Sequence, residues 1–164
     1  MNRAPLACAI VGFFVGTLVL TACSAGAVSS KASPPSCASQ VATWEGTGVG
    51  ADLSKLPGQL NETSSDVQQA QDSGSDTSAA KADLGTLLPE YKLLAAHQPP
   101  SCARNLRADY ATFLRFDNYV ANQELPAFIA NPGDVIDGDL AWGHAGYAAG
   151  LLPQVQKDLK AYSG

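Results

Sequence analysis

Apolar side chains recur at steps of three and four residues along most of this chain, and this spacing constrains the fold more than any other sequence feature. It runs through four segments, 52–72, 77–97, 103–124 and 139–162, each with a polar face opposite the apolar one. Such spacing is typical of amphipathic helices. No strand-like alternation of any length follows Cys37. The sequence therefore predicts an all-α domain.

The lengths of the four segments favour a simple arrangement. Each would form a helix of about 32 to 36 Å at 1.5 Å per residue. The first two connections, around Gly74 and around Pro99-Pro100, are short, whereas the third, 125–138, is expected to be longer and irregular. Helices of matched length with short connections pack as antiparallel neighbours. The prediction is an up-down four-helix bundle.

The start of the chain has a different character. Met1 to Arg3 supply a positive charge, and Leu6 to Leu20 follow with 15 uncharged residues. A membrane-spanning helix needs roughly 20 apolar residues, so this run is short for one. A basic start, a short apolar run and then small residues indicate a secretory signal peptide.

The end of that run narrows the interpretation. Leu20-Thr21-Ala22-Cys23 resembles the lipobox of bacterial lipoproteins, in which a Leu and two small residues precede an obligatory Cys. The resemblance implies removal of residues 1–22 and a diacylglyceryl group, with acyl chains such as palmitate, on Cys23. Two acyl chains hold a protein stably on a membrane. The expected location is the outer face of the cell membrane; a secreted protein cut near Ala25 or Ala27 is the alternative.

The remaining cysteines suggest a covalent link. Of the four cysteines, Cys8 would leave with the signal peptide and Cys23 would carry lipid, so that Cys37 and Cys102 remain. An exported chain with one remaining pair is expected to join it. In an up-down bundle these two residues lie at the same end, so the topology and the pairing agree.

The amino-acid composition and the charge balance indicate how the chain is divided and which partners it has. Residues 23–36 are rich in Ser, Ala and Pro and are expected to be a flexible tether between Cys23 and a helical domain over 37–164. Without Arg3, 9 basic residues face 15 acidic ones. This balance argues against nucleic acid as a partner. The expected contacts are the membrane, through the lipid on Cys23, and a cell-envelope protein.

Several polar residues are candidates for specific roles. Asp134, Asp137 and Asp139 are weak candidates for a cation, but Asp137 or Asp139 is expected instead to cap the last helix. His144 is expected to be a hydrogen-bonded core residue. Trp44 is expected to pack over the disulfide end of the bundle. The arginines of the third segment are expected to pair with Asp109 or Asp117; they are Arg104, Arg107 and Arg115.

Two interior prolines suggest a possible ligand site. Pro89 and Pro153 should kink their helices at similar heights, because proline clashes with the carbonyl four residues earlier. Small residues gather at this level, notably Gly85, Gly146 and Gly150. A pocket there would be bordered by Leu87, Tyr91, Tyr147 and Leu151. Tight closure of the kinked helices is the alternative, because protein interiors pack densely.

The sequence favours a function by contact over catalysis. It has no Gly-x-Ser-x-Gly, phosphate-binding loop or His-Glu-x-x-His motif, and neither an enzymatic activity nor a cofactor is expected. The layout of lipobox, tether and small alanine-rich domain resembles many small helical lipoproteins of actinobacteria. The leading hypothesis is a non-catalytic interaction module of the cell envelope. A bundle that binds a small ligand or metal is the alternative, and a hydrolase is a distant third.

Overall fold

The computed structural model describes residues 35–74 and 76–162, and the regular structure in these ranges is helical. The predicted signal peptide, the lipobox with Cys23 and the tether as far as residue 34 lie outside the described residues. The α-helices within the described ranges are α1 (Cys37–Trp44), α2 (Gly50–Ser73), α3 (Ser78–Ala96), α4 (Arg104–Tyr119), α5 (Leu125–Ala130) and α6 (Val135–Lys160).

The helices combine into four long elements. A π-helical turn, Glu45–Val49, joins α1 to α2, and a second, Val120–Glu124, joins α4 to α5. The four elements are therefore α1–α2, α3, α4–α5 and α6. They form the predicted up-down four-helix bundle, in which α6 packs most extensively against α2 and α4.

The first long element is kinked at a glycine. Gly48 has a φ of 103°, in the left-handed region that side chains with a Cβ rarely adopt. The sequence did not predict α1, because its eight residues are too few to show a helical period clearly.

The third element is longer than expected. The prediction of an irregular connection over 125–138 is wrong, because α5 continues the helix to Ala130 and buries Leu125 and Phe128. The π-helical turn before α5 accommodates Pro126, which has no N–H to donate. A π-helical turn contains one residue more than an α-helical turn. The apolar positions after the turn therefore no longer follow the α-helical spacing of the positions before it, and the spacing does not predict that the helix continues.

The last helix also begins earlier than expected. Asp134 caps α6, since its carboxylate accepts hydrogen bonds from the backbone N–H groups of Ile136 at 3.0 Å and Asp137 at 3.4 Å. The prediction that Asp137 or Asp139 caps this helix is wrong. Asp137 instead lies in its first turn, where the helix dipole favours a carboxylate.

Replacing the cap should weaken the domain measurably. We expect Asp134→Ala to lower the unfolding free energy by about 1 kcal/mol, since two backbone N–H groups lose their acceptor. The control Asp137→Ala removes a first-turn carboxylate but no cap, and should cost only about 0.3–0.5 kcal/mol. Urea denaturation of both variants tests the assignment, and equal losses would contradict it.

One end of the bundle holds the disulfide. Cys37 and Cys102 are bonded as predicted, with their Cα atoms 5.8 Å apart, and link the start of α1 to the α3–α4 connection. Trp44 is buried at the same end, as expected. Its Nε1 donates to the carbonyl of His97 at 2.8 Å, and its ring meets that of Tyr110 edge-on at 5.3 Å between centroids. We call this the disulfide end.

Side-chain hydrogen bonds fix the antiparallel register of α2 and α6. Near the disulfide end, Gln156 Nε2 donates to the carbonyl of Leu53 at 3.0 Å. At the opposite end, which we call the far end, Gln71 Nε2 donates to the carbonyl of Val135 at 3.3 Å. The start of α6 therefore lies at the far end, away from the point at which residues 35 and 36 enter the domain.

Prolines lie within three of the helices without ending them. Pro57, Pro89 and Pro153 are interior to α2, α3 and α6, each of which continues past its proline. α2 begins at Gly50, before the predicted start at residue 52, so Pro57 lies two turns inside the helix.

Candidate interaction surface

The residues predicted to border a pocket lie in different surroundings. Leu87 is buried in the core, whereas Tyr91 and Leu151 are half-buried at its edge. Tyr147 is 54% exposed. Leu87 borders a groove between α2 and α3, but Tyr91, Tyr147 and Leu151 do not line that groove, and we assign no ligand site to this level of the bundle. The glycines expected to open the pocket are exposed on the outer faces of their helices: Gly85, Gly146 and Gly150.

The three candidate cation ligands at the start of α6 have separate roles. Asp134 is the helix cap, and Asp139 accepts a hydrogen bond from Gln71 Nε2 at 3.3 Å. Across residues 35–74 and 76–162, no three His, Cys, Asp or Glu side chains are placed to hold a metal ion. Asp134 and Asp139 therefore make hydrogen bonds that hold the start of α6 at the far end.

One carboxyl group lies inside the bundle. Asp117 on α4 is fully buried, and neither of its carboxyl oxygens has a hydrogen-bond partner among the described residues. Burial, reinforced by the negative charge of Glu90 on α3, raises the pKa of Asp117 to about 7. A carboxyl group in this position is destabilising when ionised. This burial was not predicted, because Asp117 was expected to pair with an arginine of the same segment.

The neighbouring α2–α3 interface is also polar. Gln59 Nε2 donates to Glu90 Oε1 at 3.0 Å, and burial raises the pKa of Glu90. Burial also raises the pKa of Asp83 to about 6, with smaller contributions from nearby carboxylates. A groove of about 240 Å³ runs beside Gln59 and Asp83. Its lining is mainly polar, unlike the mostly apolar pockets that bind organic ligands.

His144 is hydrogen-bonded as expected, but at the edge of the bundle and not within the core. Its Nδ1 lies 2.7 Å from Glu124 Oε1, at hydrogen-bond distance. The rings of Phe116 and Tyr119 lie 5.4 and 5.6 Å from the imidazole, between centroids. The group ties the second π-helical turn to α6.

The arginines of α4 do not form the predicted pairs. Arg104, Arg107 and Arg115 are exposed, and no carboxylate among the described residues pairs with them. Asp117 is inaccessible because it is buried. Arg115 instead places its guanidinium 5.0 Å from the centroid of the Phe116 ring, which suits a cation–π contact.

The first half of α6 exposes large apolar side chains to solvent. These residues are between 42% and 70% exposed, and together we call them the α6 surface: Val135, Ile136, Leu140, Trp142 and Tyr147. The ring of Tyr147 packs on that of Phe116 with 4.5 Å between centroids, which extends the surface onto α4. Contiguous apolar patches on soluble domains mark sites of contact.

The reason for this exposure is visible in the residue sizes along α6. The face of α6 that enters the core in this half carries small residues: Gly138, Ala141, Ala145, Ala148 and Ala149. The large side chains therefore lie on the outer face. The apolar spacing of segment 139–162 predicts Leu140 on the inward face, and Val135 and Ile136 fall in the predicted connection 125–138, so the α6 surface was not predicted. A row of small residues at helical spacing, next to Trp142 and Tyr147, was the sequence feature that indicated which face of α6 is buried.

Within the described residues, no helix combines the length and the apolarity that crossing a bilayer requires.

Comparison with known proteins gives no relative for this chain: no family model, curated protein or solved structure matches it.

Proposed function

We propose that this protein is a lipid-anchored module on the outer face of a bacterial cell membrane that acts, without catalysis, by contact with another cell-envelope protein. The observation that carries the proposal is the α6 surface, with its five large apolar residues facing solvent. A contact module needs such an exposed patch. The anchoring half of the proposal rests on the lipobox-like sequence Leu20-Thr21-Ala22-Cys23.

The position of the α6 surface suits this role. The tether enters the domain through residues 35 and 36 at the disulfide end, whereas α6 begins at the far end. The 26 residues of α6 span about 39 Å at 1.5 Å per residue. The α6 surface therefore begins at the end of the domain opposite the one at which residues 35 and 36 enter it.

Site-specific photo-crosslinking in intact cells tests the contact. With a photoreactive phenylalanine derivative at Trp142, we expect a covalent adduct with an envelope protein after irradiation. The matched control is the same derivative at Lys92, an exposed residue of α3 outside the α6 surface. No protein adduct at Trp142, or equal adducts at both positions, would count against a contact through α6.

The anchoring prediction concerns Cys23 alone. Cys23→Ala should remove the acylated thiol, leave the precursor uncut by the lipoprotein peptidase and move the protein out of the fatty-acid-labelled fraction. Two acyl chains bury many methylenes at about 0.8 kcal/mol each, so losing them should abolish anchoring almost completely. Metabolic labelling with a fatty-acid analogue measures this, with Cys8→Ala as the control that should retain the label. Absence of label from the natural sequence would refute the lipobox interpretation.

A further inference from the structure

A row of glycines runs along the exposed face of α6. Gly143, Gly146 and Gly150 are spaced by three and four residues, which places them on one stripe of the helix. All three are exposed, and a Cβ added to Gly143 or Gly150 would meet no heavy atom within 4 Å. The fold itself therefore does not require glycine at those two positions. Glycine is among the least favourable residues in a helix interior, so three in a row point to a requirement outside the fold.

Large side chains flank this row on both sides. Trp142 borders a depression with Gln68 and Gln71 of α2, whereas Tyr147 stacks on Phe116 of α4. By their position on the helix the glycines lie between these two aromatic side chains, so that backbone without a Cβ is exposed between them. A floor of glycine with aromatic walls allows the backbone of another helix to approach α6 closely.

The charge of the far half of the bundle is strongly negative. Residues 62–74, 76–87 and 117–147 contain ten acidic residues and one basic residue, Lys81. Residues 35–61, 88–116 and 148–162, at the disulfide half, contain five acidic and seven basic residues. Close to the α6 surface itself, Asp72 and Asp139 line the same depression as Trp142, and Asp134 and Asp137 lie at the start of α6, whereas one cation, Arg115, lies beside Phe116. A partner that docks there must supply positive charge around its apolar face.

We infer that the glycine row of α6 and its aromatic walls are the docking site for an amphipathic helix of a partner protein, with an apolar face bordered by Lys and Arg. This inference rests on the proposed function and specifies the partner's chemistry. The stretch from Val135 to Gly150 spans about 24 Å, which corresponds to a helix of about four turns. Recognition of this kind uses apolar anchors at helical spacing in a groove.

The charge distribution disfavours two other occupants. A second copy of this chain would bring its own acidic far half against the first, and like charges in contact oppose association. An anionic lipid surface would be repelled for the same reason. The basic partner helix is the occupant that the charges match.

Leucine substitutions in the row separate docking from folding. We expect Gly143→Leu and Gly150→Leu, in the full chain, to lower the yield of the Trp142 photo-adduct at least ten-fold, because the new side chains cover the exposed backbone between Trp142 and Tyr147. The matched control is Gly85→Leu on α3, where an added Cβ also meets nothing within 4 Å, and the adduct should persist. Circular dichroism and thermal unfolding of each variant should show an intact fold, since glycine is replaced by a better helix former in open space.

The captured segment tests the chemistry. Mass spectrometry of the adduct should identify a partner segment with apolar residues at three- and four-residue spacing and flanking Lys or Arg. A synthetic peptide of that segment should bind the full-length protein in detergent at least five-fold more weakly in 300 mM than in 50 mM NaCl, because salt screens the charge attraction. A protein adduct that persists in both leucine variants, or an acidic or non-helical segment, overturns the inference but not the contact function. Adducts with lipid or a second copy alone overturn both.

Discussion

A chain in which Cys37 and Cys102 are both replaced by serine is expected to lose about 4 kcal/mol of unfolding free energy, an upper figure set by chain entropy. The bond closes a loop with a sequence separation of 65, so it removes much of the freedom of the unfolded chain. It also holds the short α1 against the α3–α4 connection. Urea denaturation of the oxidised natural chain and of the double variant measures the difference.

Reduction provides the matched control for this prediction. The natural chain treated with a thiol reductant should show the same loss as the double serine variant, since both lack the same bond. A loss below about 1 kcal/mol in both cases would contradict the prediction. It would mean that the contacts of Trp44 with His97 and Tyr110 hold the disulfide end almost without the covalent link.

Asp117→Asn is expected to stabilise the protein at pH 8 by up to about 4 kcal/mol and to have little effect near pH 4. Burial raises the pKa of this carboxyl from its usual 3.8 to about 7. Between these values the folded state keeps a proton that the unfolded chain has released. The stability of the natural protein therefore falls as the pH rises from about 4 to about 7 and then levels off.

The pH profile of unfolding distinguishes this effect from a general loss of negative charge. Thermal or urea unfolding from pH 4 to pH 8 should show a shallower decline for Asp117→Asn than for the natural chain. The exposed substitution Asp72→Asn removes the same formal charge and should leave the decline in place. A profile for Asp117→Asn that is parallel to that of the natural chain would show that the buried carboxyl does not titrate between folded and unfolded states.

The helical class and the disulfide were predictable because both depend on local patterns. Apolar spacing identifies amphipathic helices directly, and the expected roles of Cys8 and Cys23 leave Cys37 and Cys102 as one pair. The end of the third helix was not predictable, because the π-helical turn before Pro126 shifts the apolar face and the α-helical spacing does not continue into α5. Helical periodicity is informative only while the number of residues per turn stays constant.

The candidate surface was harder to predict than the fold. Spacing identifies an apolar face, but it does not decide which side of a helix is buried when alanines and large residues alternate. On α6 the alanines pack inward and Trp142 and Tyr147 lie outside. The buried Asp117 was missed for a related reason, because charged residues are usually exposed and sequence offers no sign of an exception.

The disulfide also determines how the domain would carry a mechanical load. A pull applied through residue 36 reaches the fold at Cys37, the first residue of a helix of only eight residues. Without a cross-link, that short helix could be peeled from the bundle turn by turn as far as Gly48. The bond to Cys102 instead transfers the tension to the connection between α3 and α4. A pull at residue 36 would thus act on the α3–α4 connection as well as on α1, and the bond would keep α1 from unravelling first.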